Sequence, residues 1–282
     1  MGTQTQLTEA IAAIASRLEA AGIISAEAES EILLADFLGV SRGELRTLSL
    51  LGEKRDLDGL ESLIARRESR EPLQHITGKA PFRSIELSVG PGVFVPRFET
   101  ELVAQVAIDY LNALPNPGKA VDVGTGSGAI AISLARETSA SVVAIEQSDA
   151  AIEYAQRNIE ELAPTIELIR GDFTDLLPRL RDFDLVISNP PYIPLSAVPL
   201  DPEVRDFDPE PALYSGEDGL NAIRELAVSA QIPLRPGGLL VFEHADGQSD
   251  EVSELLLREG WRSVSVHPDN TGRLRAVSAL RK

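Results

Sequence analysis

Asn189, Pro190, Pro191 and Tyr192 stand in a row just after an apolar run, Phe183-Asp184-Leu185-Val186-Ile187. Two consecutive prolines fix the backbone and remove two N–H donors, which leaves carbonyl oxygens to act as acceptors. Asn189 adds a side-chain acceptor and donors, and Tyr192 adds an aromatic face. Consider an NH2 group on a planar carbonyl or ring. Its lone pair is delocalised, so it is a poor nucleophile. The Asn189 side-chain oxygen and the Pro190 carbonyl can grip its two hydrogens. They would orient the nitrogen toward an electrophile and stabilise the positive charge that develops there. Tyr192 can stack on the plane, and the proton can leave after transfer. Asn-Pro alone is an ordinary turn opener; its place at the end of a buried strand is what points to chemistry.

A second string, Asp122-Val123-Gly124-Thr125-Gly126-Ser127-Gly128-Ala129, falls between a predicted strand and a predicted helix. Glycines let the turn be tight and let a ligand approach the backbone. Glu146 ends the following strand, at about the 20-residue offset of an acid that accepts hydrogen bonds from ribose hydroxyls. Loop and acid together specify a nucleoside-containing cofactor without saying which. With Ala129 in the third small position, a nicotinamide dinucleotide fits the spacing too.

The elements around these strings are legible from periodicity. From Glu99 onward strands and helices alternate. Ala120–Val123, Ser141–Ile145, Ile166–Ile169, Leu185–Ile187, Leu239–Phe242, Val264–Val266 and Leu274–Ala279 read as strands. This predicts an α/β fold of the Rossmann-like type, a mostly parallel sheet with helices on both faces. Ligands in such sheets bind at the carboxyl ends of the strands near the switch in strand order. Residues 5 to about 70 read as all helix, with Leu7, Ile11, Ile14 and Leu18 at helical spacing, Ser25 ahead of an acidic first turn, and Ser41-Arg42-Gly43-Glu44 as a capping box. Between them, Pro72, Gly78, Pro81, Gly90, Pro91, Gly92 and Pro96 break helices, and Ser84–Val89 with Val93–Val95 suggest a hairpin. The expected division is a helical domain over 1–71, a connector over 72–96 and a catalytic domain over 97–282.

Composition narrows the chemistry. The 282 residues contain no cysteine and three histidines, His75, His244 and His267, far apart in sequence. Thiolate nucleophiles and cysteine-ligated zinc are excluded, and no metal is expected. A net charge of −18 and the lack of a strong basic run argue against a nucleic-acid partner. No apolar run reaches membrane-spanning length. The start Met1-Gly2-Thr3-Gln4 lacks the features of a signal peptide, so a cytoplasmic location is expected.

The glycine loop, the acid after the second strand and Asn189-Pro190-Pro191-Tyr192 together resemble class I S-adenosylmethionine-dependent methyltransferases. The Asn-Pro-Pro-Tyr string is shared by adenine-N6 enzymes of nucleic acids and glutamine-N5 enzymes of proteins, so it leaves the substrate open. Further strings narrow it: Pro72-Leu73-Gln74-His75-Ile76-Thr77-Gly78, Val95-Pro96-Arg97-Phe98-Glu99-Thr100-Glu101, Glu210-Pro211-Ala212-Leu213 with Gly216-Glu217-Asp218-Gly219-Leu220, and Gly272-Arg273. These are similar to the HemK/PrmC family, which methylates the glutamine of the Gly-Gly-Gln loop in peptide chain release factors. The resemblance implies a seven-stranded sheet with an antiparallel last strand and an N-terminal domain that recognises the protein substrate. It implies S-adenosylmethionine as cofactor and S-adenosylhomocysteine as product. Gly124, Thr125, Gly126, Ser127 and Gly128 would line the methionine end. Glu146 would hold the ribose, where the family more often has Asp. Asp172 and Phe173 would sit by the adenine, Phe173 replacing a frequent Trp. Asn189 would touch cofactor and glutamine, with Pro190, Pro191 and Tyr192 completing the substrate pocket. Phe98 stands where the family has Pro, and His244-Ala245 where it has Ile-Gly. Asp201-Pro202-Glu203 matches no motif. The alternative is an adenine-N6 methyltransferase.

Overall fold

Apolar residues at i, i+3, i+4 and i+7 make the N-terminal segment helical and give each helix one side to bury. The computed structural model describes residues 4–282; the opening Met1-Gly2-Thr3 lies outside the described residues. The first elements are β1 (Gln4–Gln6), α1 (Leu7–Ala20), α2 (Ala26–Leu38), α3 (Arg42–Leu50), β2 (Lys54–Asp56), α4 (Leu60–Glu68) and α5 (Leu73–Thr77). Leu7, Ile14 and Leu18 of α1 are buried against Leu33 and Leu34 of α2, Leu45 of α3 and Ile64 of α4. Each such side chain contributes about 2 kcal/mol of burial. Ser41 Oγ accepts from the Glu44 N–H at 3.1 Å and caps α3. Ser25 caps nothing; its hydroxyl donates to Glu29 at 2.8 Å.

The segment is not all helix. β1 and β2 pair antiparallel, Gln4 opposite Asp56 and Gln6 opposite Lys54. Neither three-residue strand carries apolar alternation, so main-chain pairing alone makes the ribbon, and no periodicity announces it.

The remaining elements are β3 (Lys79–Phe82), β4 (Ile85–Ser88), α6 (Thr100–Asn112), β5 (Lys119–Val123), α7 (Ala129–Glu137), β6 (Ser141–Glu146), α8 (Asp149–Leu162), β7 (Glu167–Arg170), α9 (Phe173–Leu176), β8 (Phe183–Ser188), α10 (Pro202–Phe207), α11 (Glu210–Leu213), α12 (Asn221–Ser229), β9 (Leu234–Glu243), α13 (Ser249–Arg258), β10 (Arg262–Pro268) and β11 (Leu274–Leu280). Two compact units result. One is residues 1–79 with 199–207; the other is 80–198 with 208–282.

In the second unit seven strands form one sheet in the order β10-β11-β9-β8-β5-β6-β7. β5, β6, β7, β8 and β9 are parallel, and β11 runs antiparallel to both β9 and β10. Alternate residues bury opposite faces. Ala120, Leu185, Ile187 and Val241 pack under α6, α7 and α8, while Val121, Val186, Leu240 and Phe242 pack under α12 and α13. The chain builds outward from β5 to β7 and returns to β8 on the other side. The strand order therefore reverses between β5 and β8.

β3 and β4 form a separate two-stranded ribbon joined by Arg83-Ser84. Val93–Val95, expected as one of its strands, is not a strand. Pro91 and Pro96 remove donors on either side, and Val93 and Val95 are held by burial in the core instead.

Candidate active site

β5 and β8 are neighbours with Val123 opposite Ser188, so the glycine loop and Asn189 leave the sheet side by side at its carboxyl end. The loop turns back at once. The N–H groups of Gly124 and Thr125 both donate to the Ile145 carbonyl, at 2.9 and 3.0 Å. Gly124, Gly126 and Gly128 all have left-handed φ, at 68°, 57° and 88°. An added Cβ at Gly124 or Gly126 would meet nothing within 4 Å. Backbone here borders open space, as a cofactor that must approach the main chain requires.

Glu146 ends β6 with both carboxylate oxygens in use. Oε2 accepts from Gly126 N–H at 2.9 Å, and Oε1 from Gln147 and Ser148 N–H at 2.9 and 2.8 Å. The expected ribose acid thus also shapes the loop that it faces. Asp122 lies fully buried under the loop. Its Oδ2 accepts from Thr125 Oγ1 at 2.6 Å and from Ala131 N–H at 3.1 Å, while Oδ1 is buried without a partner among the described residues. Burial pushes its carboxyl up to about 7. Asp172 Oδ1 accepts from the Thr174 N–H and hydroxyl, at 2.8 and 2.7 Å, and so caps α9. Phe173 follows at the first helical position, half-buried against the core under α12 and α13.

Asn158 on α8 was not singled out by sequence. It is buried and bridges two segments. Its Nδ2 donates to the Ser88 and Ser127 carbonyls, both at 2.9 Å, and its Oδ1 accepts from Ser88 N–H at 2.7 Å. This ties β4 to the glycine loop.

Asn189 Nδ2 donates to Thr100 Oγ1 at 3.2 Å, at the start of α6. Thr100 Oγ1 donates in turn to Glu243 Oε2 at 2.6 Å, at the end of β9. Tyr192 closes the ring by donating its hydroxyl to Glu243 Oε1 at 2.9 Å. Glu243 is buried, which raises its carboxyl above the ordinary range, against the hydrogen bonds from Thr100 and Tyr192 that lower it. Burial, then the Glu243 charge, raise the Tyr192 phenol well above its usual value. In the sequence Thr100 suits a helix start, which it is, and Glu243 has no visible partner.

The loop after Tyr192 is held by the 210–220 segment. Ile193 N–H donates to the Leu213 carbonyl at 2.8 Å, Ser215 N–H to the Ile193 carbonyl at 2.9 Å, and Leu195 N–H to the Gly216 carbonyl at 2.9 Å. At Gly219, φ is 81° and an added Cβ would lie 2.3 Å from the Tyr192 carbonyl oxygen, so only glycine fits. Gln248 Nε2 donates to the same carbonyl at 3.1 Å. Arg97 donates from Nη2 to Asp208 Oδ2 at 2.6 Å, a structural ion pair. His244 is buried, with Nδ1 2.9 Å from the Ala245 carbonyl, and Trp261 donates to the Ala227 carbonyl at 2.8 Å inside the core. His75 is buried in the helical unit.

Comparison with known proteins accounts for both units. Residues 9–78 match the model of the PrmC N-terminal domain, and residues 85–199 match that of the methyltransferase small domain. A release factor glutamine methyltransferase of Streptomyces coelicolor is 47% identical over 275 residues, covering 95% of this chain and 96% of the relative. One from Mycolicibacterium smegmatis is 43% identical over 282 residues, covering 98% of each. Among solved structures, a methyltransferase from Pyrococcus furiosus shares the fold with a TM-score of 0.51 at 19% identity, covering 69% of this chain and 88% of that one. At that level of identity across nearly the whole length, the chain belongs to the release factor glutamine methyltransferase family.

Proposed function

We propose that the chain transfers the methyl group of S-adenosylmethionine to the side-chain nitrogen, N5, of the glutamine in the Gly-Gly-Gln loop of peptide chain release factors. The observation that carries the reading is the pairing of Asn189 and Tyr192 through one buried carboxylate, next to an open glycine loop at the switch point of the sheet. Gly124, Thr125, Gly126, Ser127 and Gly128, with Glu146, Asp172 and Phe173, are the residues that would hold the cofactor. Open space beside Gly124 and Gly126 supports that assignment. When bound, the cofactor supplies an electrophilic methyl on a positively charged sulfur.

The protein's part is orientation. Asn189 Oδ1 and the Pro190 carbonyl accept the two hydrogens of the glutamine amide and aim its nitrogen. They favour the transition state because positive charge grows on that nitrogen as the bond forms. Pro191 keeps the strand end rigid, and Tyr192 packs against the amide plane. Among the described residues, no helix is long and apolar enough to cross a membrane. Release factors, which are cytoplasmic proteins, are the partners this reading requires.

Labelled S-adenosylmethionine should mark a release factor and leave duplex DNA unmarked. Label in DNA alone would replace the reading with the adenine-N6 alternative, which uses the same grip on an exocyclic amine. Asn189→Ala should cut turnover at least a hundredfold, in the range of a lost transition-state contact, with cofactor affinity little changed. Unchanged turnover would remove Asn189 from the mechanism.

A further inference from the structure

An asparagine side chain is nearly symmetric in shape and opposite in chemistry at its two ends. Only one way round presents an acceptor to an incoming NH2 group. Something must therefore choose the orientation of Asn189, and counting protons around Glu243 identifies what does.

Glu243 is buried and brings no proton as a carboxylate. It accepts at both oxygens, from Thr100 Oγ1 at 2.6 Å and from the Tyr192 hydroxyl at 2.9 Å. A threonine hydroxyl has one hydrogen, and here it is spent on Glu243. Toward Asn189, Thr100 can then only accept. Nδ2 must face it, as found at 3.2 Å, and Oδ1 must face away. The same carboxylate consumes the Tyr192 proton and pins that ring. Each group sits on a separate rigid support: Thr100 opens α6, Glu243 closes β9, and Asn189 follows β8, whose last residue pairs with Phe242.

We propose that Thr100 and Glu243 are positioning residues that fix the Asn189 amide with its oxygen toward the substrate, and that this orientation makes the site select an amide and reject a carboxylate. The proposal rests on the glutamine-N5 reading. A reversed Asn189 would present N–H donors, which suit glutamate and repel the amide hydrogens. Neither residue touches the reacting atoms; both act through Asn189 and Tyr192.

The test uses the full-length chain and two substrates: a release factor, and the same factor with its loop glutamine replaced by glutamate, used as a competitive inhibitor. Wild type must first methylate the glutamine form. If it does not, the glutamine-N5 reading has failed, a separate result from failure of the proposal. Thr100→Val keeps the shape and removes the hydroxyl. It should lower kcat about a hundredfold, as a misaligned reacting group does. It should also lower the preference for glutamine over glutamate at least tenfold, while the Kd for S-adenosylmethionine stays within about threefold. Thr100→Ser restores the hydroxyl and should recover most of both losses. Thr100→Ala, which adds no methyl beside Glu243, gives the same readout should the valine variant not fold. A hydroxyl-free variant that binds cofactor and keeps wild-type preference would overturn the proposal. So would a serine variant that recovers neither quantity, because then threonine's methyl and not its hydroxyl matters.

Discussion

Replacing Asp122 by asparagine should make the protein more stable at pH 8 and leave it nearly unchanged at pH 4. Asp122 is wholly buried, and its carboxyl is raised from 3.8 to about 7, chiefly by burial. The folded state therefore holds a proton that the unfolded chain gives up at lower pH. Below 3.8 both states are protonated, and the group imposes no ionisation penalty on the fold. As pH rises from 3.8 toward 7 the unfolded chain ionises alone, and stability is lost; above 7 the loss levels off. A difference of about 3 pKa units at about 1.4 kcal/mol each gives a loss on the order of 4 kcal/mol. Asparagine keeps an oxygen for Thr125 Oγ1 and Ala131 N–H and never ionises. Urea unfolding of both proteins without cofactor, at pH 4, 5, 6, 7 and 8, measures the difference directly. The two stability curves should diverge by about 4 kcal/mol between pH 4 and 8. Parallel curves would refute the reasoning, since they would mean that Asp122 ionises alike in the folded and unfolded states. An acid that weakens the fold at neutral pH, directly beneath the glycine loop, is not explained by packing.

Two further outcomes follow from specific contacts. Gly219→Ala brings a methyl to 2.3 Å from the Tyr192 carbonyl at a backbone φ of 81°, so the Tyr192 loop must move; kcat should fall about tenfold or more while cofactor affinity, read by calorimetry, holds. Glu203→Gln leaves buried Arg67 with Glu29 as its remaining ion-pair partner among the described residues and takes from Arg70 its bidentate partner, and should destabilise the helical unit by about 3 kcal/mol in thermal or urea unfolding. Burial pushes the Glu203 carboxyl up, but hydrogen bonds led by that from Arg70 outweigh it and hold the group far below its ordinary 4.5, so its contribution is present above pH 4.5 and fades as pH falls below it. The Glu203→Gln penalty should accordingly shrink on moving from pH 7 to pH 3, and a constant penalty would count against the ion pair as its source.

Elements with their own periodicity were legible from sequence. β8 has all six residues buried and reads as an apolar run; the α1 stripe of Leu7, Ile11, Ile14 and Leu18 faces the core, Ile11 only partly buried. What failed to show is what depends on a distant partner. Residues 199–207 belong to the helical unit because Glu203 meets Arg70, 133 residues earlier, and nothing near Asp201-Pro202-Glu203 encodes that meeting. Val93 and Val95 have the composition of a strand, but the prolines around them leave too few donors for a ladder, and both side chains are buried in the core without one. Charge and periodicity are local signals, whereas ion pairing and burial are decided by the fold.

The site divides along the same line. Asn189-Pro190-Pro191-Tyr192 states its chemistry in four letters, yet an adenine amine and a glutamine amide look alike to two acceptors and a ring. Two of the strings that point to one family, 95–101 and 210–220, hold in the fold the supports of the Asn189–Tyr192 loop. Leu213, Ser215 and Gly216 hold its backbone, Gly219 lets its carbonyl pass, and Thr100 in the Val95–Glu101 string accepts from its asparagine. Ser215 falls between two of those strings, and Glu243 lies outside them all. It is also the one whose two oxygens gather Thr100 and Tyr192 at once. On the proposed reading a short motif fixes the reaction type, and the scattered residues around it matter because they fix how the motif is held.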